Sequence, residues 1–113
     1  MPSLFWSEAA EEELAEFLVW LIIHQGGQIA EAARAAVEKA ALSAAEAPLS
    51  HAWIGALFDK FGKADQSYRR VLAWKGRLHL YYRYIETESR VVILHVRGTR
   101  RRPLSLRQLA RGQ

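Results

Sequence analysis

The 113-residue chain has no cysteine, which excludes disulfides, thiolate metal sites and cysteine nucleophiles. Its longest apolar run, Phe17 to Ile23, is too short to cross a bilayer. The N-terminus shows no charged start followed by an apolar stretch and a cleavage site, so neither a spanning segment nor a leader is expected. A cytoplasmic location follows as the expectation. No His-x-x-x-His pair occurs, and His24 and His51 have no second ligand at useful spacing, so no zinc site is expected. Glycine-rich phosphate loops are missing too, and Gly26-Gly27 reads as a helix break. These absences together predict no metal and no cofactor. Without internal repeats or a long linker, a chain of this size forms one domain.

Acidic residues are scarce in one half only. Residues 1–50 carry eight glutamates against Arg34 and Lys39, whereas residues 51–113 carry fourteen Lys and Arg against four acids. The net charge of +4 therefore hides a scaffold-like acidic half and a basic half suited to a polyanion or an acidic protein segment. Half of the residues are hydrophobic, enough for a packed core.

Ser7 is a plausible N-cap, and the glutamates that follow suit the positive end of a helix dipole. Ala10, Leu14, Phe17, Leu18 and Leu21 recur at helical spacing. A second helix is predicted over 28–46, stopping before Pro48, with a face of Ile29, Ala33, Ala36, Val37, Ala40, Ala41 and Ala44. Such small residues allow a tight antiparallel helical hairpin. Trp53, Ile54, Leu57, Phe58 and Phe61 suggest a third, short helix over 49–61. Residues 3–6, SLFW, are a candidate edge strand, and Tyr68 to Trp74 a further strand before a turn at Lys75-Gly76.

Arg77 to Arg102 is the most informative stretch, because two alternating runs flank the polar turn ETES as in a β-hairpin. Side chains alternate across a strand. Leu78, Leu80, Tyr82, Tyr84, Val92, Leu94 and Val96 are expected in one apolar row. Arg77, His79, Tyr81, Arg83, Ile93, His95 and Arg97 form the opposite, largely basic row. The predicted fold class is α+β, a helical hairpin packed on a small antiparallel sheet.

The order of these pieces resembles the RelE/ParE superfamily of bacterial type II toxins. The matching segments are SEAAEEELAEFLVWLI, the helix closing at EAP, Tyr68-Arg69-Arg70, Tyr82-Arg83 and VVILHVRGTRRR, together spanning roughly residues 3–102. The resemblance implies a toxin domain over 1–102 with a basic tail over 103–113. It also implies a cognate antitoxin that holds the toxin inactive in a hetero-oligomer. ParE-like members poison DNA gyrase and show no nuclease activity, whereas RelE-like members are ribosome-dependent ribonucleases that cut messenger RNA. The uninterrupted hairpin is similar to the ParE-like branch. RelE-like chains place a tyrosine or histidine just beyond the last strand, where this chain reads TRRRPLSLRQLARGQ. ParE-like chains often carry histidine near Gly98, where Arg97-Gly98-Thr99 stands here.

The expected contacts with a target or an antitoxin are Arg77, His79, Tyr81, Arg83, His95, Arg97, Arg100, Arg101 and Arg102. Trp53, Ile54, Leu57 and Phe58 are candidates for an apolar groove that takes an antitoxin helix. Metal-free RNA cleavage needs a base, an acid and cations at the phosphate. In the ribonuclease alternative His79, Tyr81, His95, Arg83 and Arg97 would supply them. A non-toxic basic module that binds nucleic acid or protein is the third alternative, in which the same charges are a solvated face.

Overall fold

The computed structural model of the protein describes residues 1–51, 67–105 and 108–109. Strand β1 (Ser3–Trp6) leads into helix α1 (Glu8–Gln25), and helix α2 (Gly27–Glu46) returns against it. Strands β2 (Tyr68–Ala73), β3 (Leu78–Ile85) and β4 (Arg90–Gly98) follow. The sheet order is β1-β4-β3-β2, with β1 parallel to β4 and the other two pairs antiparallel. A parallel neighbour needs a crossover, which the helical hairpin and the first two antiparallel strands together provide. The expected α+β architecture is present, with a sheet that is mixed because β1 joins it in parallel. The first three residues predicted for the third helix, Leu49 to His51, lie in turns and bends, and the remainder lies outside the described residues.

Ser7 caps α1: its hydroxyl oxygen accepts the Ala10 N–H at 3.1 Å, with Glu8 and Glu11 in the first turn. Gly26 joins the helices at φ +96°, in a backbone region that L side chains avoid, and its N–H closes α1 on the Leu21 and Ile22 carbonyls. Ala30, Ala33, Val37, Ala40, Ala41, Ala44 and Ala45 are buried on α2. The expected face was rotated at its start: Ala30 is buried and Ile29 is exposed. These short side chains let α2 approach the sheet, where Leu78, Leu80, Tyr82, Val91, Ile93 and Val96 complete the main core.

The expected single apolar row of the last strand does not hold. Tyr81 pairs with His95 and Tyr82 pairs with Ile93, so Leu94 is an extra, unpaired residue. This β-bulge reverses the alternation. Val96 stays on the helix side, Ile93 and Val91 join it, and Val92 and Leu94 turn to the opposite face. There Leu94 packs with Tyr68, Tyr81, Leu104 and Leu109 in a second apolar cluster.

Two side chains of α1 and its cap satisfy the main chain around the bulge. The Ser7 hydroxyl donates to the Leu94 carbonyl at 2.9 Å, and the Ser7 N–H donates to the Ile93 carbonyl at 2.9 Å. Farther on, the Val96 N–H donates to Glu13 Oε1 at 3.2 Å. β1 ends at the Trp6–Ile93 pair, so the helix start takes over the hydrogen bonding where the parallel strand stops.

On the other side of the sheet's centre, the exit of α2 is tied down. The Tyr82 hydroxyl donates to the Pro48 carbonyl at 2.7 Å, and buried Arg69 donates to the carbonyls of Leu49 at 3.1 Å and His51 at 2.7 Å. Burial pushes the Tyr82 phenol up to about 12, with Arg69 opposing the shift.

Ser7→Ala removes the cap and leaves the Leu94 carbonyl without its donor, and should cost about 1–2 kcal/mol in urea unfolding. A loss near zero would show that water replaces both bonds. Tyr82 also predicts an alkaline limb. Its folded pKa exceeds the ordinary value of 10.0, so the unfolded chain loses this proton first as pH rises. The contribution is complete below pH 10 and lost towards pH 12. Tyr82→Phe should flatten that limb relative to wild type, while lowering stability at neutral pH through the missing bond to Pro48.

Candidate functional site: the basic face of the sheet

Directly paired residues share a face, which places Arg70 beside Tyr81, His79 beside Arg97, Tyr81 beside His95 and Arg83 beside Val92. Phe5 of β1 is paired with Val92, and the Arg90 guanidinium lies over its ring at 5.2 Å. Arg90 also bonds Glu88 at 2.9 Å. The Arg83 guanidinium stands over Tyr68 at 5.3 Å. Cationic groups therefore surround an apolar centre made by Tyr68, Tyr81, Val92 and Leu94.

That centre is covered. Leu104 and Leu109 are buried against it, and the Leu104 N–H donates to the Tyr81 hydroxyl at 3.2 Å. Tyr81 is 1% exposed, so its hydroxyl is held inside the protein rather than at its surface. The ring still touches His79, edge to face at 5.9 Å between centroids. His95 is engaged as well: its Nδ1 is 3.0 Å from Glu13 Oε1, the oxygen that also accepts the Val96 N–H. Among the described residues His79 has no such hydrogen bond, and burial followed by the nearby Arg70 charge lowers its pKa from 6.5. Both effects favour its neutral form.

The other predicted residues fall into separate places. Arg77 is exposed at the start of the hairpin, its guanidinium 5.0 Å from the Trp74 ring centroid. Arg97 is half-buried, with an Nε that has no partner among the described residues. Arg100, Arg101 and Arg102 are exposed just beyond β4. The groove predicted from Trp53, Ile54, Leu57 and Phe58 lies outside the described residues. His24 is not part of this face: its Nδ1–H donates to the Trp20 carbonyl at 2.8 Å, and its ring stacks on Trp20.

Three residues that the sequence reading did not count as site residues bear on this arrangement. Glu13 holds His95, Arg70 depresses His79, and Arg69 points the other way to hold the α2 exit. Arg70 was legible from alternation, because it sits in phase with Tyr68. Glu13 was not, because its partner is remote in sequence.

The architecture, a helical hairpin on a mixed four-stranded sheet, is a RelE/ParE-like fold. Neither the family models nor the curated proteins yield a match to this sequence. Solved structures do match. A chain of the chromosomal ParDE toxin–antitoxin system from P. aeruginosa superposes with a TM-score of 0.66 at 14% identity, covering 87% of this chain and 96% of that one. The isolated E. coli RelE toxin superposes with a TM-score of 0.55 at 17% identity, covering 90% of this chain and 88% of that one. At such identities the likeness is one of fold.

Imidazole titration by NMR should place His79 below 6.5, and Arg70→Gln should move it partway upward, because burial remains. Titration above 6.5, or no response to the substitution, would contradict the placement of His79 beside Arg70.

Proposed function

We infer that this chain is the toxin of a type II toxin–antitoxin pair, acting in the cytoplasm and neutralised by a cognate antitoxin. The observation that carries this reading is the fold shared with the ParDE chain and with RelE over nearly the full length of each. Between the two branches, the ParE-like one is the better supported, with DNA gyrase as target and no chemistry of its own. Tyr81 is buried with its hydroxyl engaged, and His95 is tied to Glu13, so two of the three groups suited to proton transfer already have structural partners. The cations around them suit binding to a phosphate-rich or acidic surface. Arg97 and the exposed Arg100, Arg101 and Arg102 lie together at the end of β4 and are the proposed contacts.

One observation favours the ribonuclease reading. His79, its neutral form favoured, has the cationic neighbours Arg97 and Arg70 that suit a general base for a 2′-hydroxyl. The two readings separate by experiment. Induction of the chain alone in bacteria should arrest growth, and pulse labelling should show DNA synthesis falling before protein synthesis. His79→Ala should then leave toxicity within a few-fold of wild type, whereas Arg100→Glu with Arg101→Glu should abolish it. If protein synthesis falls first and His79→Ala loses activity about a hundredfold or more, the ribonuclease reading replaces this one. Harmless induction of soluble protein would remove both.

A further inference from the structure

The sheet is open along β1, which ends the strand order and pairs with β4 alone. The Ser3 and Ser7 N–H groups donate to the Ser89 and Ile93 carbonyls at 2.9 Å each, so the main chain of alternate residues Ser3, Phe5 and Ser7 faces β4. Alternation turns the N–H and C=O of Leu4 and Trp6 the other way, off the edge. There they have no partner among the described residues. The strand also lacks the charges that guard most edges. Ser3, Leu4, Phe5 and Trp6 are all uncharged, whereas β2 at the opposite edge carries Arg69 and Arg70. Phe5 is 48% exposed on the basic side of the sheet. On the helix side Leu4 and Trp6 are only partly buried, and Trp6 borders a cleft of about 300 Å³ with Leu14 and Leu18.

We propose that β1 is the surface through which two copies of this chain form a dimer, pairing antiparallel about a two-fold axis at Phe5. What selects a second copy is that the strand is self-complementary in this register. Leu4 pairs with Trp6 of the second copy and Trp6 with its Leu4, each pair exchanging two N–H···O=C bonds. Every outward group of both strands is then satisfied. A slip of one residue sets inward-facing groups against outward ones. A slip of two sets Trp6 against Pro2, which has no N–H to give, and leaves the Trp6 carbonyl unpaired.

At the axis Phe5 meets Phe5 of the second copy in a non-hydrogen-bonded pair, the kind in which side chains lie closer. No uncompensated charge is brought there, because the Arg90 guanidinium over the Phe5 ring is bonded to Glu88 at 2.9 Å. An axis perpendicular to the sheet keeps both helical hairpins on one side. The cleft beside Trp6 then offers apolar walls to Leu4 of the second copy; of the carboxylates at its rim, Glu11 and Glu38, the latter is paired with Arg34. A strand from another protein would need the same two outward pairs and an apolar residue between them, which a second copy supplies by symmetry. The contact is short. It buries less than the roughly 1,200 Å² at the low end of stable interfaces, so a Kd of about 10–100 µM is expected. The inference does not use the toxin reading, and β1 lies along the first half of β4, away from the arginines at its end.

Sedimentation of the full chain from about 5 to 500 µM should show its mass rise from that of one chain towards that of two. Phe5→Lys sets two further cations at the axis and should keep the chain monomeric over that range. Because the chain has no cysteine, a single introduced one reports the register. Phe5→Cys would stand opposite itself with Cα atoms about 4.5 Å apart, within disulfide reach, and should cross-link readily under diamide. Ser3→Cys, exposed on the same face, would lie about 13 Å along the strand from its counterpart and should cross-link at least about tenfold more slowly. Both positions are exposed, so the variants should fold, as circular dichroism would verify. A chain that stays monomeric at the highest concentration overturns the proposal, whatever else is found to pair with β1. So does a dimer that Phe5→Lys leaves intact, or equal cross-linking at the two positions.

Discussion

The unpaired Leu94 decides which side of the sheet each residue of the last strand serves. A strand that continued its alternation would have sent Val92, Leu94 and Val96 into one layer. With one extra residue, Val91, Ile93 and Val96 meet the helices instead, and Val92 and Leu94 supply an apolar centre on the opposite face. Such a bulge leaves main-chain groups to be satisfied, and the start of α1 satisfies them. Ser7 bonds the Leu94 carbonyl while capping its own helix, and Glu13 accepts the Val96 N–H while holding His95. The position of the helical hairpin on the sheet therefore depends on this short stretch of β4.

A sheet with apolar side chains on both faces needs cover on both. α1 and α2 cover one side. On the other, Leu104 and Leu109 cover Tyr68, Tyr81 and Leu94, leaving the cationic groups as a surround rather than a continuous plate. This arrangement separates roles that look interchangeable along the chain. Tyr81 and Tyr82 are neighbours, yet one hydroxyl accepts from Leu104 and the other donates to Pro48 on the opposite side. Arg69 and Arg70 divide likewise, one holding carbonyls after α2 and the other adding its charge to the burial that lowers the His79 pKa. Binding surfaces are thus built from alternate residues of strands whose remaining residues hold the fold.

Much of this was visible in the residues themselves. Ser7 before a run of glutamates, paired glycines and an alanine-rich face lead directly to the capped, closely packed hairpin. The alternation of Leu78 to Tyr84 places β3 correctly because no irregularity interrupts it. The exposed apolar surface of α1 was harder to see. Val19, Trp20, Ile22 and Ile23 do not fit a single stripe, which marks a helix with more apolar surface than one sheet can cover. Part of its cover comes from Trp74 in the β2–β3 turn, where Trp74, Lys75 and Gly76 all adopt left-handed backbone.

By itself, then, the sequence determined the helical hairpin, the four strands and their order in the chain, the sign of the charge in each half and the class of fold. These follow from local propensity and from periodicities of two and of 3.6, which short windows contain. Tertiary structure alone decided the parallel place of β1, the reversal at Leu94, the burial of Tyr81 and the pairing of His95 with Glu13. Each is a choice between partners far apart in the chain, settled by which main-chain groups and apolar surfaces still needed cover once the sheet had formed.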